Sequence, residues 1–160
     1  MTIFRRFLVL AVLLFWQGGF VFFAAVVVPI GREELGPRSK QTVITNRVTY
    51  YINLAGAVSI APLLWDVVLP DPSARRRWVR GVLWVILLVT LLAQTYLYRE
   101  MYGMLDAILT GIEPPAFRQT HWTYLAVSAV QVVAGLLYVA ATLMTWRGQD
   151  CGPATPQAAG

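Results

Sequence analysis

The groups able to do chemistry in this sequence are few, and most are placed where an apolar chain accommodates them least. Four side-chain amides, Gln17, Asn53, Gln94 and Gln131, sit inside long apolar runs, as does one carboxylate, Asp66. His121 is the sole histidine and Cys151 the sole cysteine. Amides donate and accept hydrogen bonds and can orient a ligand, but they supply neither a general base nor a nucleophile. A histidine can move a proton near neutral pH or ligate a metal. An acid inside a membrane span is a functional candidate by default, because its burial is costly.

Each candidate has a plainer reading. A lone histidine just outside a span is an interfacial side chain bonded to a carboxylate. With Glu100, or with Glu33 and Glu34, His121 makes a mixed metal site, and with Met101 or Met104 a His/Met haem ligand set. A bis-histidine haem requires a dimer, and a structural zinc site needs several Cys or His ligands. The expectation is therefore no cofactor, with haem or a metal ion at His121 as the alternative. Asp66 faces the basic cluster Arg75, Arg76, Arg77 and Arg80 across a short connection, so an ion pair of Asp66 with Arg76 and Arg80 that closes the hairpin explains it. Proton coupling needs a second ionisable group deep in the membrane, and the sequence has none. Glycine-rich phosphate loops, serine-histidine-acid sets, HExxH and CxxC are absent. Cys151 is expected as a free thiol in a reducing compartment.

What must position these groups follows from composition. The chain is 58% apolar and 13% charged, whereas soluble domains average about 45–50% and about 25%. A chain of 160 residues has too much surface to hide that many apolar side chains in water. Disorder, a collagenous chain and a disulfide framework are excluded by the same composition. A bilayer core of about 30 Å takes about 20 apolar residues in a helix, and four segments qualify: 7–30, 48–69, 78–98 and 122–146. The fold expectation is all-α, a polytopic membrane four-helix bundle running up-down-up-down over residues 1–147. The first span outruns a cleavable signal's apolar core of about 7–15 residues, so it is read as retained. Met101, Met104, Leu105, Ile108 and Leu109 recur with helical period and predict that span three continues to Gly111 and Pro114-Pro115. Span two is predicted to begin near Pro37. Residues 148–160 lack an apolar face and predict a disordered tail.

The net charge of +5 does not mark a nucleic-acid binder, because the basic residues flank spans instead of covering a water-facing domain. Seven of them, Arg5, Arg6, Arg75, Arg76, Arg77, Arg80 and Arg147, fall on the side of both termini, and six, Arg32, Arg38, Lys40, Arg47, Arg99 and Arg118, on the other. The seven crowd span ends in a very short loop, where the positive-inside rule acts most strongly, so both termini are placed in the cytoplasm and the protein in a plasma or inner membrane. In that topology Asn53 lies about five residues, roughly 8 Å of helix rise, below the non-cytoplasmic end of span two. Gln94, Gln131 and Gln17 share that half of the bilayer. Above them at the mouth come Arg47, Arg99, Glu100, Arg118 and His121, with Tyr50, Tyr51, Tyr96 and Tyr98. The amide layer is either interhelical glue, about 0.6–2 kcal/mol per bond, or a polar pocket for a small ligand or lipid headgroup. Ala55 with Ser59 and Ala57 with Ala61 predict close helix approach on span two.

Phe15-Trp16-Gln17-Gly18-Gly19-Phe20, Phe23, Val28-Pro29, Asn53-Leu54 and Phe117-Arg118-Gln119-Thr120-His121 resemble the transmembrane-protein-205-like proteins. That resemblance implies a small four-span protein and transfers no catalytic residue. Pro29 and Arg32 followed by His121 at span four are also similar to the anthrone-oxygenase-like membrane proteins. The expected function is a non-enzymatic membrane binding or accessory protein. The alternative is a small membrane oxidoreductase or oxygenase using His121 with a nearby carboxylate. Expected partners are the lipid bilayer and, through the bundle surface, a second copy or another membrane protein, with no nucleic acid.

Overall fold

The computed structural model describes residues 2–34, 38–69, 73–112 and 114–150, and they form only helices and connections. We number the helices α1 (Ile3–Glu34), α2 (Arg38–Val68), α3 (Ala74–Gly103), α4 (Leu105–Leu109) and α5 (Pro115–Asp150). The candidate spans in the four long ones are 28 to 34 residues long, about 42–51 Å at about 1.5 Å per residue. Each is long and apolar enough to cross a bilayer. All four extend past the expected span ends on the side away from residue 70, α1 to Glu34 and α5 back to Pro115.

Two boundaries differ from the sequence expectation. Span three does not continue unbroken to Gly111: α3 ends at Gly103, Met104 adopts a turn, and the apolar pattern forms the separate short helix α4. Glycine is the weakest ordinary helix former, which places the break there. Helix α5 carries on through Gly148 to Asp150, so the expected tail starts later than 148. The remainder of that tail, Cys151 and the expected start of α2 at Pro37 lie outside the described residues.

Helix α1 is wound loosely in two places, with π-helical turns at Leu14–Gly18 and Phe23–Val27. Such turns displace side chains around the helix axis. The first carries Trp16, whose ring lies over Gly56 of α2, and Gln17, which lies over Gly135 of α5. Ser59 reaches the same helix, donating to Ala55 O at 2.7 Å and lying 3.4 Å from Val12 O. The close α1–α2 approach therefore runs along Ala55, Gly56 and Ser59, whereas Ala57 and Ala61 face outward. Around the bundle α1 packs on α2, α2 on α3 and α3 extensively on α5, while α1 and α5 meet in few places.

The interior is unusual in its chemistry. On α2 the inward positions Asn46, Thr49, Asn53, Gly56, Ser59, Leu63 and Asp66 recur every three or four residues, and all but Asn46 are buried. On α5 the buried series is Tyr124, Ser128, Gln131, Gly135, Tyr138, Thr142 and Thr145. Apart from Leu63, both stripes are small or polar. Apolar packing is supplied by Val9, Leu13 and Trp16 of α1 and Leu83, Leu87 and Leu91 of α3. Large apolar side chains such as Phe4, Leu14, Phe15, Val58, Val89, Leu136 and Met144 point outward.

Gly56 is where packing is tightest, since an added Cβ would stand 2.6 Å from Trp16 Cε2 in a ring that is 1% exposed and cannot swing away. Gly56→Ala is expected to lower stability in detergent by about 1–3 kcal/mol through overpacking. Gly19→Ala, where nothing lies within 4 Å, is expected to be neutral or to gain up to about 1 kcal/mol from helix propensity. Thermal melting of the two variants beside the parent checks the contrast.

Candidate functional site

Two polar layers are buried in the bundle, separated by the apolar core. The charged layer is built on Asp66, whose side chain has no exposure. Arg80 of α3 donates from Nη1 to Asp66 Oδ2 at 2.8 Å and to the Asp66 carbonyl at 3.3 Å. Tyr138 of α5 donates to Leu63 O at 3.1 Å, with its hydroxyl 3.4 Å from Asp66 Oδ2. From α1, Arg5 Nε approaches Asp66 Oδ1 to 3.6 Å. One carboxylate thus ties together all four long helices. Pro62 interrupts the backbone donors of α2 here, and the surrounding carbonyls of Ile60, Leu63 and Asp66 accept from Trp84, Tyr138 and Arg80 on other helices.

The Asp66–Arg80 half of the expected hairpin ion pair is therefore present, while Arg76 lies against Gly148 of α5. Sequence reading missed Arg5 and Tyr138. Their signal was spacing: Tyr138 shares the three-and-four stripe of α5 with Gln131, and Arg5 precedes the expected first span at the same end of the bundle as Asp66. Arg6 stacks on Trp146 with its guanidinium 5.3 Å from the ring centre.

The amide layer draws one residue from each long helix. Gln94 of α3 donates from Nε2 to Ser128 Oγ at 2.8 Å, and Ser128 donates to Tyr124 O at 2.7 Å. The Tyr124 side chain stands beside both Ser128 and Asn53. Gln131 lies one turn further along α5, and Gln17 a turn beyond that, over Gly135. Only Gln94 of the four has both a neighbour and a bond. Both amide atoms of Gln17 and Nε2 of Gln131 are shielded from solvent with no protein partner, and the buried amide of Asn53 has only the Tyr124 side chain beside it. Asn46 Oδ1, two turns nearer the mouth on the Asn53 stripe, is likewise shielded without a partner. A buried polar group left unbonded costs about 1–3 kcal/mol.

The mouth residues do not assemble into a catalytic set. Arg47, Arg99, Glu100, Arg118 and His121 are exposed. His121 stacks on Phe117 one turn earlier, ring centres 6.1 Å apart. Among the described residues no three of His, Cys, Asp and Glu come together as metal ligands do. The tyrosines do assemble, with Tyr50 against Tyr51 at 5.4 Å and Tyr98 between Tyr50 and Tyr102 at 6.5 and 6.2 Å.

Removing one member of a buried pair strands the other charge, at about 3–5 kcal/mol. Asp66→Leu and Arg80→Leu are each expected to cost that much in detergent melting. The double variant is expected to cost less than the sum, because neither charge is left behind; additive losses would show that the pair is not coupled. No family model, characterised protein or solved structure matches this chain, so its function has to be read from its own side chains.

Proposed function

We propose that the chain is a polytopic membrane protein whose four long helices run up-down-up-down with both termini cytoplasmic, and that it is a non-enzymatic binding protein holding a small uncharged polar ligand in its amide layer. The observation that carries this reading is the set of buried amide atoms on Gln17 and Gln131 that no protein group satisfies, with Asn53 beside them touching only Tyr124. Glue is made of completed interhelical bonds, and among the described residues Gln17 and Gln131 add none to the bond from Gln94 to Ser128. Groups that cost the fold without bonding within it are accounted for by a partner that bonds to them. The layer carries no net charge, which suits an uncharged ligand with both donors and acceptors. The stripe Asn46, Thr49, Asn53 gives that ligand a polar lane from the mouth.

Membrane residence is supported by the inversion of the surface, with aromatic and aliphatic side chains outside and amides, hydroxyls and charges within. In lipid the helices gain nothing by hiding leucine from leucine, so polar contacts hold them. The cytoplasmic assignment rests on the seven arginines at the Asp66 end of the bundle.

Asn53→Leu and Gln131→Leu separate pocket from glue. With the layer serving a ligand, both variants in ligand-free detergent are expected to melt at or above the parent temperature, since an unsatisfied buried amide has been replaced by a hydrocarbon. A fall of several degrees in either would make the layer a packing device and overturn the proposal.

A further inference from the structure

The outer surface of the bundle is broken along the seam between α1 and α2. Two cavities open there, of 530 Å³ and 380 Å³, and Phe22 lines both, so they form one groove. Each lies against a π turn of α1, the larger at Leu14–Gly18 and the smaller at Phe23–Val27. In the larger cavity the buried Trp16 is the floor, and Gly18 and Gly19 open a notch, with nothing within 4 Å of a Cβ added at Gly19. Phe15, Phe22 and Tyr51 stand exposed at its rim. Ser59 of α2 lies 3.4 Å from Val12 O, and Gln41 Nε2 donates to Val28 O at 3.1 Å, so the two walls are tied to each other on either side of the notch.

Length, polarity and width of this groove agree on one kind of occupant. The α1 wall is apolar from Leu14 to Ile30, and the far end carries Glu34, Gln41 and Thr45. From Gly19 to Glu34 the helix rises about 22 Å. One leaflet, headgroup included, is about 20–22 Å deep. With the first span ending at Ile30, Gly19 falls about 16 Å below that end, at mid-membrane, and Glu34 about 6 Å above it, among headgroups. The larger cavity follows α1 from Leu14 to Phe22, about 12 Å, so its mean section is about 45 Å². The smaller runs on to Glu34, about 18 Å, with a mean section of about 20 Å². A helix about 10 Å across needs about 80 Å². The groove is too narrow for a partner helix and suits an extended hydrocarbon chain.

We propose that the α1–α2 groove holds one acyl chain of a diacyl phospholipid from the leaflet at the Glu34 end. The end of the chain rests on Gly18 and Gly19, and the headgroup lies level with Glu34, Gln41 and Thr45. The proposal rests on the membrane residence proposed above. It needs no ligand in the amide layer and holds for either orientation of the bundle.

The test is photo-capture in vesicles. The full chain is reconstituted in dioleoyl-phosphatidylcholine containing a trace of the same lipid with a diazirine at the end of one chain, then irradiated, digested and mapped. Label is expected to concentrate on residues 14–22 of α1 and 48–55 of α2, several-fold above the outward faces around Val89 of α3 and Leu136 of α5. Gly19→Leu, whose Cβ meets no neighbour, fills the notch and is expected to lose most of that excess while label at Val89 and Leu136 stays. Ala57→Leu, on the outward face of α2 and outside the groove lining, is expected to keep it. Label spread evenly over the outward faces, or an excess that survives Gly19→Leu, overturns the proposal. So does a dimer in mild detergent that Gly19→Leu dissociates, with no label in the groove, which would give the groove to a second copy. Alkaline extraction of native membranes checks membrane residence separately: a chain that stays with the membrane and labels evenly overturns the groove alone.

Discussion

The contact between Asp66 and Arg80 constrains everything else in this bundle. A carboxyl group with no exposed surface is costly to bury without a partner, and Arg80 at 2.8 Å is that partner. Once α2 and α3 are clamped at that level, Tyr138 brings in α5 and Arg5 brings in α1. The short connection between Val68 and Ala74 leaves the pair little freedom to slide. Register at this end is passed along the helices to the other, so the positions of Asn53, Gln94 and Gln131 follow from a bond several turns away.

Both polar layers leave buried atoms unbonded among the described residues, but the charged one is crossed by more interhelical bonds. At the Asp66–Arg80 clamp each side chain bonds across helices, and even the carbonyls beside Pro62 find donors. In the amide layer one bond is complete, and the amide atoms of Gln17 and Nε2 of Gln131 are unused. Between the layers the core is packed by Leu13, Trp16, Leu63 and Leu87, each at 2% exposure or less. On the proposed binding reading, the unbonded amide atoms of Gln17 and Gln131 are groups already in place for a ligand.

Much of this was legible in the sequence. Run length and composition gave four long apolar helices, because the bilayer criterion depends on neither packing nor neighbours. The pairing of Asp66 with Arg80 followed from two charges flanking one short connection. Other features were hidden for physical reasons. The π turns of α1 have no sequence signature, so the placement of Trp16 on Gly56 and Gln17 on Gly135 could not be foreseen. Arg76 and Arg80 are equally basic, and only helix phase decides which one points inward. Tyr138, Thr142 and Thr145 looked like ordinary residues of an apolar span until their spacing was matched to the buried face. His121 stood out by rarity, yet it is an exposed side chain stacked on Phe117.

The most direct test is sided cysteine labelling in intact membrane vesicles. On a background with Cys151→Ser, single cysteines replace Arg47, Asn53, Arg77 and Arg147, and a small membrane-impermeant thiol reagent is applied from one face and then the other. An up-down bundle with a polar lane leading to the amide layer predicts that positions 47 and 53 label from one face only, and 77 and 147 from the opposite face only. Labelling of 53 and 147 from the same face would contradict the topology, and failure of 53 to label from either face would contradict the open layer.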